Sequence, residues 1–277
     1  MASVEEKIHE WLRKEGYPLE LYAYKLLREA GFVCEKSALY EDVESHDKRE
    51  IDVFAEYTVT SEVGPHFNLT LLVECKKSEK PLLILCEDGQ KHAIHREIYG
   101  ARVYPSQLNN SLILAALGRK KMTILDGPTS SPTDELVCSG YSMLQAFRHS
   151  DDTFHRNLFG LAKAEYYFEN NHERLFQSMI HSTDLEEAFV DLIVPILLVD
   201  SPLFNVYLDD GEIAIEGASW GSVTLNLPWY VDTGSERQSN IQVVTKERFS
   251  DCVQKLKRLA EWLHDPELIL ECIKCGT

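Results

Sequence analysis

Asp52, Glu74 and Lys76 are the residues whose types and spacing could do chemistry. Glu74 and Lys76 flank Cys75, and alternate side chains of a strand share a face. The carboxylate and the amine therefore point one way and the thiol the other. Asp52 interrupts an apolar stretch (Ile51, Val53, Phe54) in the preceding strand candidate. Pairing of the two strands would bring two carboxylates and an amine to one end of a sheet. Mg²⁺ is usually held by one or two carboxylates plus waters and substrate phosphate. Asp52 and Glu74 offer those carboxylates, and the carbonyl of Cys75 offers a further oxygen. The chemistry that suits this set is phosphodiester hydrolysis, in which the cation activates a water and neutralises charge growing on the phosphate. Lys76 would orient or help deprotonate the nucleophile, or stabilise the pentacovalent transition state. A bare Glu-x-Lys is common and usually a solvated charge pair. Here it ends the apolar run 69–73, and charges at the end of a buried strand are expensive unless paired or functional.

The elements that must hold these residues can be read from periodicity. Residues 1–15 predict a short helix with Val4, Ile8, Trp11 and Leu12 at helical spacing, broken at Gly16 and Pro18. A second helix is expected over 18–30, its stripe Leu19, Ala23, Leu26, Leu27 and Ala30, closed by Gly31. Strands are expected over 32–40, 50–60, 68–75 and 82–86. Residues 87–137 read as an insertion. A long helix is expected over about 142–167, carrying Leu144, Phe147, Phe154, Leu158, Leu161 and Ala162. Residues 192–200 read as a buried strand whose Pro195 argues for a sheet edge or a bulge. Short strands are expected at 204–208, 213–215, 222–227 and 241–244, with Asp209-Asp210-Gly211 as a hairpin turn. A helix over 246–264 closes the chain. The expected fold class is α/β: a central mixed sheet flanked by helices, with a β-rich C-terminal extension and closing helix. Residues 1–200 would form the core and 201–277 the extension packed on it.

Composition narrows the function classes. Hydrophobic residues make up 44% and charged residues 26%, which excludes wholesale disorder. No apolar run approaches the length of a membrane span, and no signal-peptide pattern opens the chain. Seven scattered cysteines suit a reduced, cytoplasmic setting. The net charge of −17 opposes a polyanionic partner, yet residues 71–121 hold nine Lys or Arg against five Asp or Glu. If that segment faces the substrate, Lys77, Lys80, Lys91 and Arg96 are candidate phosphate contacts; a solvated surface explains them equally well.

Taken together, Glu20 on an early helix, Ile51-Asp52 and Glu74-Cys75-Lys76 resemble the motif set of the PD-(D/E)XK, or restriction-endonuclease-like, nuclease superfamily. The closest likeness is to stand-alone bacterial proteins of that group, where a Ser, a Lys-Pro and an apolar strand follow, as Ser78, Lys80-Pro81 and Leu82 do here. No proline precedes Asp52. The resemblance covers residues 16–86 well and 140–200 loosely. It implies an αβββαβ core, a Mg²⁺-dependent endonuclease with Mn²⁺ able to substitute, and DNA ahead of RNA as substrate. It also implies that Glu20 completes the metal site; an ordinary flanking glutamate is the competing account. The alternative function is a non-catalytic nucleic-acid-binding or protein-interaction module on the same fold. A homodimer or a partner subunit could supply the missing positive surface.

Other signals are weaker. Cys272 and Cys275 are half of a zinc knuckle with no second half at a usual spacing. His92 and His95 could contact phosphate but read more simply as surface histidines, and His46 and Asp47, in a polar loop before the Asp52 strand, are assigned no role. Lys246, Arg248, Lys255, Lys257 and Arg258 read as the solvated face of the last helix. No phosphate-binding or dinucleotide glycine motif occurs, and Ser142 lacks the flanks of a nucleophile elbow.

Overall fold

The computed structural model describes residues 3–59, 66–93, 101–104, 136–147, 153–179, 189–227 and 237–263. Arg96, His95, Cys272, Cys275 and most of the expected insertion lie outside these residues.

The chain opens with α1 (Val4–Glu15), capped by Ser3 and Glu6 in a reciprocal capping box, and α2 (Tyr17–Glu29). Gly16 joins them at φ 88°, a left-handed conformation that glycine adopts without steric cost. Strands β1 (Val33–Glu41), β2 (Lys48–Val59), β3 (His66–Lys77) and β4 (Leu82–Ala93) follow. β5 (Ala101–Tyr104), β6 (Leu136–Gln145), α3 (Thr153–Met179) and β7 (Phe189–Asp200) come next. β8 (Leu203–Asp209), β9 (Glu212–Ala218), β10 (Trp220–Leu227), β11 (Arg237–Thr245) and α4 (Lys246–Leu263) complete the described chain.

The fold is mixed α/β. Ten strands run in the order β1-β2-β3-β7-β11-β10-β6-β4-β8-β9, and β5 pairs with β7. β3, β7 and β11 are mutually parallel neighbours; β1-β2-β3 is an antiparallel meander. The sheet separates two apolar layers. On one face α2 and α4 pack through Leu19, Ala23, Leu27, Phe249, Val253 and Leu256. On the other, α3 packs through Phe154, Leu158, Leu161 and Ala162. Strand β11, from the segment read as an extension, lies between β7 and β10. Among the described residues no helix is long and apolar enough to cross a membrane.

Three expectations are corrected. The helix expected from residue 142 starts at Thr153; residues 142–145 belong to β6, which pairs with β4 and β10. Phe147 is exposed and has a positive φ, so the chain turns between strand and helix. Residues 87–93 extend β4 past an irregularity in its pairing with β6. Strand β7 is interior, not an edge: β3 pairs along its whole length. On its other side β5 ends at Leu192 and β11 begins at Ile196. Pro195 falls in the gap between those partners, where a missing donor disturbs the ladder least. The Asp210-Gly211 turn does form, with both residues at positive φ as a type I′ hairpin requires.

Candidate active site at the parting of two strands

The site is built where β2 leaves β3. Their pairing runs from Val59↔Phe67 to Val53↔Val73 and stops there, while β2 continues along β1 to Lys48. Beyond that point the Cys75 N–H has no β2 backbone acceptor. The carboxylate of Asp52 takes its place, with Oδ2 accepting that N–H at 2.7 Å. β3 itself stays straight because β7 flanks it to Lys77.

The strand period then acts as expected. Leu71, Val73 and Cys75 face the α2/α4 layer, and Leu72 faces the α3 layer, so Glu74 and Lys76 emerge on the α3 side. Lys76 Nζ lies 2.6 Å from Glu74 Oε1, with the two side chains 33% and 17% exposed. Three of the predicted residues therefore meet: Asp52, Glu74 and Lys76. Glu20, in the first turn of α2, is close enough to feel both Asp52 and Lys76.

Electrostatics mark this as a carboxylate-rich, partly dehydrated cluster. Burial first, and the neighbouring Asp52 charge second, push Glu74 up to about 7 against the pull of Lys76. Burial also raises Asp52, outweighing the Cys75 N–H bond and Lys76. Glu20 rises for the same reasons, burial and then Asp52. For Lys76 burial works against the charge, but Glu74 and Asp52 more than compensate and its pKa rises. The Cys75 thiol is pushed well up by burial and the three carboxylates, so it is no nucleophile.

Among the described residues no group of three or more His, Cys, Asp or Glu is arranged to grip a metal ion. What the site offers is the Asp52 and Glu74 carboxylates, in an environment that disfavours two uncompensated negative charges. That donor set fits a hard divalent cation that keeps several waters and shares a phosphate oxygen, and does not fit a closed structural site. Asp52 and Glu74 would hold it, with the Cys75 carbonyl on the same strand as Glu74; Glu20 is within electrostatic reach but does not join them as a third ligand.

The other candidates scatter. Lys77 is exposed and shares the strand face of Cys75, opposite Glu74. Lys80 Nζ donates to the carbonyl of Phe147 at 3.0 Å. Lys91 lies on β4 and is bound to Glu216 at 2.7 Å, five strands from β3. Lys246 lies 3.9 Å from Asp200, and Arg248 and Lys255 both face Asp251.

Sequence reasoning missed two neighbours. Glu50 raises both Asp52 and Glu20. It lies two residues before Asp52, so strand alternation alone could have found it. Lys36 on β1 lowers Glu20 and stacks 4.7 Å from the Tyr24 ring centroid. Its neighbourhood follows from the Lys36↔Val53 register, which no sequence signal announces.

Comparison with known proteins returned no matching family model, no matching curated protein and no matching solved structure.

Proposed function

We propose that this chain hydrolyses nucleic-acid phosphodiester bonds with Mg²⁺, or Mn²⁺ in its place, acting on DNA ahead of RNA. The observation that carries the reading is the meeting of Asp52, Glu74 and Lys76 where β2 parts from β3. The α2, β1-β2-β3, α3, β7 succession, with β7 parallel to β3, supports a restriction-endonuclease-like core.

The bound cation would supply Lewis acidity at the scissile phosphate. The chain's own residues do the rest. Asp52 is oriented by the Cys75 N–H and Glu74 by the rigid β3–β7 pairing. The Glu74 and Asp52 carboxylates raise the pKa of Lys76, which favours charge stabilisation of the phosphorane over proton abstraction. A cation held by Asp52 and Glu74 would compete with Lys76 for the Glu74 carboxylate and would leave the ammonium available to the phosphate.

The second reading, a binding module without turnover, rests on that same ion pair, which closes the site on itself. The discriminating experiment presents plasmid, linear duplex, single-stranded DNA and RNA with Mg²⁺, Mn²⁺ or EDTA. The nuclease reading expects cation-dependent cleavage with DNA cut fastest. No cleavage of any substrate, with binding retained, leaves the module.

A further inference from the structure

We propose that β9 is a self-association edge, along which two copies of this chain pair β9 to β9, antiparallel, about a two-fold axis through Ile215. β9 ends the strand order, and among the described residues its only partner is β8. An open edge offers unpaired N–H and C=O groups, and chains blunt it with charged residues, Lys above all, or with Pro. β9 carries no Lys or Pro, and its only charges are Glu212 and Glu216.

The β8–β9 hairpin also presents an apolar face. Residues opposite one another in an antiparallel pair share a face, which places Val206 with Ile215 and Leu208 with Ile213. Leu208, Ile213 and Ile215 are 64%, 71% and 65% exposed.

Gly217 supplies an independent observation. It sits inside β9 without a positive φ, and a Cβ there would meet nothing within 4 Å. Nothing within the described chain requires a glycine, which weakens a strand, and such a residue often marks the close approach of another backbone.

Charge placement then selects the register in which a second copy can pair. A two-fold axis perpendicular to the sheet keeps faces matched, so it must pass through a residue. An axis at Ala214 sets Glu212 against the partner copy's Glu216, and one at Glu216 sets that residue against itself. An axis at Ile215 pairs all seven residues of β9 and puts Glu212 and Glu216 against alanines. In that register Ile215 meets its own copy, and Ile213 lies over the bare backbone of Gly217. Phe204 stands opposite Gly217 on β8, ready to receive it. Each Glu216 is already held by Lys91 at 2.7 Å. A second copy thus answers the open edge, the apolar face and the glycine together. One strand pair is a small interface, so the dimer is expected to be weak, with a dissociation constant on the order of 10 μM.

Sedimentation equilibrium on the full chain, from about 1 μM to about 500 μM, tests this. The wild type should pass from 31.7 kDa to twice that mass. Ile215→Lys and Ile215→Glu, at an exposed position, should each weaken association by at least about tenfold through like charges on the axis. An equimolar mixture of the two should restore a dimer, because opposite charges then meet. A monomer at every concentration overturns the proposal. Variants that dimerise like wild type, or a mixture that stays monomeric, overturn the β9 register. None of these readouts depends on the cleavage reaction, and cleavage per chain should be equal in wild type and variants, because the site lies seven strands away.

Discussion

Glu74 carries the clearest pH signature. Its folded pKa, about 7, stands above the ordinary carboxylate value because burial and Asp52 disfavour its charge. A raised carboxyl binds its proton more tightly in the folded state. Its stabilising contribution is therefore full below about pH 4.5 and is lost as pH rises through about 7. In EDTA, stability should fall across that window by about 1–3 kcal/mol, which lowers the thermal midpoint by several degrees for a chain of this size. Glu74→Gln should flatten the fall; a variant profile with the wild-type slope would remove the electrostatic account. The trio Asp52, Glu74 and Lys76 was legible in the sequence because two adjacent strands carry it, one with period-two spacing at the end of an apolar run. Lys36 was not, because its place depends on hairpin register alone.

At the scale of elements, the β1–β2 hairpin must be held in place for Asp52 to reach Cys75. Asp42, fully buried in the turn, does this. Its carboxylate takes Lys163 of α3 at 2.9 and 3.1 Å, Arg49 at 2.9 Å, and the N–H groups of Glu44 and Ser45. Burial opposes the charge, yet Lys163 and the two N–H donors hold its pKa below the ordinary value. Asp42→Ala takes a fully buried carboxylate away from the mostly buried Lys163, and should cost about 3 kcal/mol by urea unfolding. A loss under about 1 kcal/mol would mean the hairpin is anchored elsewhere. In wild type this stability is present above about pH 4 and is lost as pH falls through the depressed pKa. The elements themselves were legible where a stripe or a buried run was long: α2, β2, β3 and α4. β6 was misread because Leu144 and Phe147 also fit a helical period. Only non-local pairing with β4 and β10 decides for the strand. Pro195 misled because a strand can be interior and still lack a neighbour at one position.

For the whole molecule, the described lysines of the positive segment do not gather on one surface beside the site. Lys91 is tied to Glu216 and Lys80 reaches the carbonyl of Phe147, while Lys36 lies near Glu20 from outside the positive segment. A net charge of −17 opposes a polyanion, so the few lysines beside the site would have to carry any phosphate contact. Lys36→Ala should lower the salt slope of binding by about 0.9, and Lys91→Ala should leave it unchanged. Equal effects from both would return the positive surface to residues 71–121. The sequence could show how much positive charge the segment carries; only the strand order shows that β4 carries Lys91 away from the site.

The most direct test is single-turnover cleavage of an end-labelled duplex by the wild type and by Lys76→Ala, with Mg²⁺ in excess and at a temperature well below the thermal midpoint of either protein. The account predicts cleavage by the wild type, none in EDTA, and a loss of at least about a hundredfold in the variant, with Mn²⁺ still raising its thermal midpoint. Cleavage at the wild-type rate by Lys76→Ala would contradict it.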